Sequence, residues 1–156
     1  MQYQGRYNIF DPTAIKTYPL ASRANKVTLK DLILPAKVNN FTVNLPDKTC
    51  SDIEAAASAI VSARKANQPV VLFTGAHLIK NGLGPLLIDL IERGLITLVA
   101  GNGGTAIHDF ELALIGETSE YVPSALRNGQ FGMSYEFAYI NCALAVGDQQ
   151  KLGYGE

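Results

Sequence analysis

Val70-Val71-Leu72-Phe73-Thr74-Gly75 and, further along, Leu95-Ile96-Thr97-Leu98-Val99-Ala100-Gly101-Asn102-Gly103-Gly104-Thr105 decide the fold. Each is an uninterrupted apolar run that ends in glycine, the pattern of a strand covered on both faces. Between them a polar loop reaches Gly84, and Pro85-Leu86-Leu87-Ile88-Asp89-Leu90-Ile91-Glu92-Arg93 follows with proline at its start and Gly94 at its end, as a helix requires. Beyond the second run, Thr105 to about Ile115 reads as another helix. Strand, helix, strand, helix with short connections predicts an α/β fold, a Rossmann-like parallel sheet with right-handed crossovers and helices on both faces.

Upstream, Ser51-Asp52-Ile53-Glu54 has the form of a capping box, opening an Ala-rich helix that runs to about Ala66 and is ended by Asn67, Gln68 and Pro69. Residues 1–50 hold four of the seven prolines, and their one amphipathic stretch, Thr28 to Leu34, stops at Pro35. The expected organisation is therefore an irregular N-terminal arm, 1–50, and an incomplete Rossmann-like domain, 51–156. Downstream, Val122 to Gly132 reads as a polar connection and Met133 to Val146 as a helix. Cys142 is expected to be a small buried hydrophobe within that helix. Phe131, Tyr135, Phe137 and Tyr139 are expected in a core or a subunit interface.

The 156 residues include 47% hydrophobic ones, and 13 basic residues balance 14 acidic ones, which excludes disorder and describes one globular domain. Near-neutrality removes any compositional case for nucleic acid or a membrane surface. The charge is uneven: residues 1–50 carry a surplus of four positive charges and residues 51–156 a surplus of five negative ones. Cys50 and Cys142 are too few for a disulfide scaffold and lack zinc-site spacing, which fits a reducing compartment. No apolar run reaches the roughly 18–20 residues that span a bilayer, and Met1-Gln2-Tyr3-Gln4-Gly5-Arg6 is no signal peptide, so a cytoplasmic protein is expected.

Ligands of open parallel sheets bind beyond the carboxyl ends of the strands, where both unusual loops fall. Gly101-Asn102-Gly103-Gly104-Thr105 places three glycines in four positions before a helix, so backbone amides can approach a phosphate and the helix dipole adds attraction. The spacing is neither the dinucleotide fingerprint nor a Walker loop, and a plain strand-to-helix turn is the alternative. Thr74, Gly75 and Ala76 of the first loop would line the same crevice, with Lys80 and Asn81 toward phosphate or ribose. Glu117 and Glu120 stand near the distance at which dinucleotide folds place a ribose-binding acid. His77 and His108, the only histidines, fall in these loops or the helix starts that follow, and with Asp109 they are the candidate catalytic groups. A metal site from His77, His108 and Asp109 has only residue type in its favour.

From about Val70 to Glu120 the sequence resembles the deoxyhypusine synthase-like group. Thr74-Gly75-Ala76-His77-Leu78-Ile79-Lys80-Asn81-Gly82 matches that family's Thr-Ser-Asn-Leu-Ile-x-x-Gly loop, and Ala100-Gly101-Asn102-Gly103-Gly104-Thr105-Ala106-Ile107-His108-Asp109 its loop of paired glycines and acidic residues. Gly-Asn followed by Ala-x-His-Asp is also similar to the NAD-binding domain of ornithine cyclodeaminases joined to arginine dihydrolases. The resemblance implies NAD as cofactor, and transient oxidation of a small amine or amino acid followed by transfer or elimination. Nothing like the Pro-Lys-His segment that carries the family's covalent intermediate follows Gly147, which argues against deoxyhypusine synthesis itself. The resemblance is to the family's N-terminal half, so either the chain is a fragment or a second subunit completes the sheet, and a homo-oligomer, dimer or tetramer, is expected. The alternative is a non-catalytic nucleotide-binding or oligomerisation module.

Overall fold

The computed structural model describes residues 4–9, 11–40 and 43–156. The chain divides into two compact units, residues 25–119 and residues 1–24 with 120–156. The class is mixed α/β, as expected.

In the first unit, β1 (Asn25–Thr28) is followed by 3-10 turns at Leu29–Asp31 and Pro35–Asn40, then α1 (Asp47–Lys65), β2 (Val71–Phe73), α2 (Ala76–Lys80), α3 (Gly84–Glu92), β3 (Leu98–Ala100), α4 (Gly103–Ile115) and β4 (Glu117–Glu120). The last residue of β4 belongs to the other unit. α1 starts at Asp47, before the expected Ser51, and its N-cap is Pro46, so the Ser51–Glu54 capping box is not used. Asp47 meets the positive end of the helix dipole and Lys48 pairs with Asp52 at 3.2 Å, which supports this earlier turn. The Ala-rich sequence makes α1 helical by propensity, and none of its residues is buried.

β2 and β3 pair in parallel in the register Val71 with Leu98, Leu72 with Val99 and Phe73 with Ala100. Thr97 N–H donates to the Val70 carbonyl and Thr74 N–H to the Ala100 carbonyl, each at 2.9 Å, so the ladder extends past both ends of the strands. Thr97 Oγ1 also accepts from Val70 N–H at 2.9 Å. Alternation puts Leu72 and Val99 on one face, partly covered, and Val71, Phe73 and Leu98 on the other, all exposed. Phe73 is 81% exposed, so the expectation of strands covered on both faces is corrected: an apolar run records what a strand tolerates, not what lies over it.

α3 carries Pro85 in its first turn and is followed by Gly94 at φ +69°, as read from the sequence. The polar loop after β2 contains α2, which packs against α4. β1 pairs with β4 as a second two-stranded sheet, and Leu29 N–H donates to the Gly116 carbonyl at 3.0 Å beside it. Ile79, Leu87 and Ile96 are the buried hydrophobic side chains among the described residues of this unit.

The second unit is built around Leu20, which is fully buried. Leu20 N–H donates to Glu136 Oε2 at 2.8 Å, and Tyr18 exchanges backbone bonds of 3.2 Å with Met133 and Tyr135. Where a polar connection was expected, Val122–Arg127 forms α5, with Pro123 in its first turn. The last helix, α6, is Phe137–Gln149, a few residues later than expected, because Ser134 bridges to Tyr18 and Glu136 is held by Leu20. Cys142 is exposed, as is Cys50, which corrects the buried reading. Phe131, Tyr135 and Tyr139 are exposed and not core residues. Among the described residues, no helix is long and apolar enough to cross a membrane.

Candidate functional site

The two glycine loops meet at the carboxyl ends of β2 and β3. A β-carbon built on Gly75 would lie 3.4 Å from Asn102 Nδ2, and one on Gly104 would lie 3.3 Å from Ala76 Cβ and 3.2 Å from Asn102 Oδ1. Glycine at 104 is thus what lets the second loop close onto the first. Thr74, Gly75, Ala76, Gly101, Asn102, Gly103, Gly104 and Thr105 are together, as the sequence reading required of a shared crevice.

Asn102 caps α4. Its Oδ1 accepts from Thr105 N–H at 3.3 Å, and Thr105 Oγ1 accepts from Asn102 N–H at 3.4 Å, a reciprocal capping box. Thr105 N–H and Ala106 N–H also reach the Asn102 carbonyl, at 2.9 and 3.3 Å. The Thr105 amide is therefore satisfied within the loop, and the amides of Gly103 and Gly104 are the first-turn amides that helix geometry leaves without an intrahelical acceptor. A β-carbon on Gly103 would meet nothing within 4 Å.

The other sequence candidates are not all at this place. His77 is the second residue of α2 and exposed, one residue from Ala76. Asn81 follows the last turn of α2, at the end away from Gly75. Glu117 lies on β4, where its Oε2 accepts from Asn25 Nδ2 at 3.1 Å. Asp109 is exposed on α4 and forms no group with His108, since adjacent helical residues diverge by about 100°. Among the described residues, His77, His108 and Asp109 do not gather as metal ligands.

His108 turns instead to a buried polar relay that the sequence reading missed. Its Nδ1 lies 2.8 Å from Thr118 Oγ1, whose hydroxyl donates to Glu111 Oε2, and Glu111 Oε2 lies 3.3 Å from the same imidazole nitrogen. Thr118 is fully buried and Glu111 nearly so. Because the Thr118 proton goes to Glu111, Nδ1 of His108 is the donor to Thr118. The available signal was Glu111 standing three residues after His108, on the same helix face.

The second unit holds another polar cluster. Tyr18 Oη donates to Glu120 Oε1 at 2.7 Å, Gly132 N–H donates to Glu120 Oε2 at 3.0 Å, and Arg23 Nη1 stands 3.8 Å from that same oxygen. Burial, and then the hydrogen bond to Glu120, push the Tyr18 phenol above its ordinary value of 10.0. The sequence had marked Glu120 only as a ribose candidate. Comparison with protein-family models, curated proteins and solved structures finds no match for this chain.

Proposed function

We propose that residues 25–119 bind a dinucleotide of the NAD type, and that the chain belongs to an enzyme oxidising a small amine or amino acid transiently before transfer or elimination. The observation that carries the cofactor reading is the closure of Thr74–Ala76 onto Gly101–Thr105 beyond the ends of a parallel strand pair, at the first turn of α4. In this reading the pyrophosphate sits on the Gly103 and Gly104 amides at the head of the 13-residue α4. His77, exposed beside Ala76, is the histidine placed to face nicotinamide or substrate. His108 acts through the relay that fixes its ring.

The test is calorimetric titration of the full chain with NAD, repeated with Gly103→Val. Binding at one site per chain, lost in the variant while its circular dichroism is unchanged, supports the proposal. Absence of binding, or binding indifferent to the variant, would falsify it.

One observation favours a second reading, a nucleotide-binding module without turnover: His108 and Asp109, two of the three candidate catalytic groups, are not assembled with each other at the loops. His77→Ala separates the two, because an enzyme loses turnover while keeping NAD and a module has none to lose.

Self-association through a second copy belongs to the same proposal. Parallel strands are stable with both faces covered, and the Val71, Phe73 and Leu98 face is apolar and exposed. Sedimentation should show a dimer or tetramer that Phe73→Asp dissociates; a monomer at all concentrations would sink this part.

A further inference from the structure

The two sides of α6 differ in what covers them. Phe137, Ile140, Leu144 and Gly147 fall on one side of the helix and are partly covered. The opposite side carries Tyr139 and Val146, 55% and 52% exposed, with the exposed Cys142 between them. Tyr135 extends this stripe backwards. Ala138 N–H donates to the Tyr135 carbonyl at 3.0 Å, so the chain already turns helically there, and the Tyr135 ring is exposed. The charge of Glu136, then desolvation, then the neighbouring Tyr139 hold the Tyr135 phenol above its ordinary range, which puts the two rings within electrostatic reach of each other.

Tyr135, Tyr139, Cys142 and Val146 thus follow at steps of four, three and four residues, the seam spacing of paired helices. From Phe137 to Gly147 the sequence holds no charge, and Ala138, Ala143 and Ala145 flank the seam, all exposed. A charged peptide or a nucleic acid finds no ion there to pair with. The spacing itself points to the occupant, because four-three-four reads the same from either end. Laid antiparallel on its own copy, the seam meets in register: Tyr135 stands opposite Val146 of the second copy and Tyr139 opposite Cys142 of the second copy, each twice about a two-fold axis. Every layer then pairs a ring with a small side chain. A parallel pair would instead stack ring on ring and thiol on thiol, crowding one layer and hollowing the next, with the helix dipoles side by side. The flanking alanines let the helix axes approach to about 8 Å, and the phenol hydroxyls reach the wet rim.

We propose that α6 is a self-docking surface, on which a second copy of this chain lies antiparallel with the two-fold axis between Tyr139 and Cys142. The seam is about 18 Å long, so the contact is small and the association weak. It rests neither on the dinucleotide reading nor on the Val71, Phe73 and Leu98 face, and it uses none of their residues.

The experiment uses the full chain with Cys50→Ser and Cys142→Ser, carrying Tyr135→Cys in one preparation and Val146→Cys in another. Oxidised together with copper phenanthroline at roughly 100 µM chain, where a weak interface is populated, the two should form a disulfide-linked heterodimer. Either preparation oxidised alone should give at least about tenfold less covalent dimer, because like positions stand about 16 Å apart in the antiparallel register. Adding Tyr139→Glu to both, at an exposed position that leaves the circular dichroism spectrum unchanged, should lower the heterodimer yield at least about tenfold. Absence of the heterodimer, homodimers at position 135 or 146 formed as readily, or a yield indifferent to Tyr139→Glu would overturn the proposal.

Discussion

Gly82 and Gly103 lie in the two loops that follow the parallel strands, yet the fold treats them in opposite ways. Gly82 is buried at φ +80°, and a β-carbon there would stand 2.7 Å from the Asp31 carbonyl oxygen. Its own carbonyl accepts from Ile33 N–H at 2.9 Å, so the residue joins the segment after β1 to the turn between α2 and α3. Gly103 is exposed, lacks a positive φ, and a side chain there would meet nothing. One glycine is explained by the chain's own packing. The other is unexplained until something outside the chain needs the space, and that contrast is the strongest support for reading the second loop as a ligand site.

Substitution can break this contrast. Gly82→Ala should cause the largest loss, at least about 2 kcal/mol from the left-handed backbone and the backbone clash together, read as a lower midpoint in urea. A midpoint within about 0.5 kcal/mol of the parent would show that the turn is not fixed as described.

In the second unit Glu120 is, like Gly82, a group that the fold consumes, bound by Tyr18 and by the Gly132 amide. Tyr18→Phe removes a hydrogen bond to a part-buried carboxylate and should cost about 1–2 kcal/mol. It also has a pH signature. The phenol is raised in the folded state, so its contribution is fully present below pH 10 and is lost as pH rises through the higher folded value. Melting temperatures of parent and variant should therefore differ at pH 8 and converge as pH rises past that higher folded value; a constant difference would place the stabilisation elsewhere.

The smallest expected change in stability is that of Gly103→Val, within about 0.5 kcal/mol of the parent. Its effect is on NAD binding alone, and a large loss of stability would remove the contrast with Gly82.

The sequence made the parallel pair legible because two apolar runs ended in glycine and a Pro-to-Gly helix lay between them. It made the meeting of the two loops legible for the same reason, since parallel strands bring their carboxyl ends side by side. Burial was not legible: Phe73 has the same apolar character whether covered or bare. Nor was β4, because Glu117-Thr118-Ser119-Glu120 has neither the alternation nor the β-branched content of a strand and is held by partners remote in sequence. His108 was legible as a special residue but not in its role. Its direction depends on Thr118, whose position follows from the turn at Gly116 and not from any local pattern.

That relay has a geometric consequence for the helix that carries it. Donation runs one way, from the imidazole to the hydroxyl to the carboxylate, and each member can be replaced only by its like. A slip of α4 by one residue against β4 would bring Ile107 or Asp109 to the place of His108 and Phe110 or Leu112 to that of Glu111. One slip strands a buried hydroxyl among apolar groups, and the other leaves it beside a lone carboxylate with no imidazole to donate to it. The three side chains thus index the rotation and height of α4 as the teeth of a ratchet do, and with them the position at which the helix begins, at Gly103.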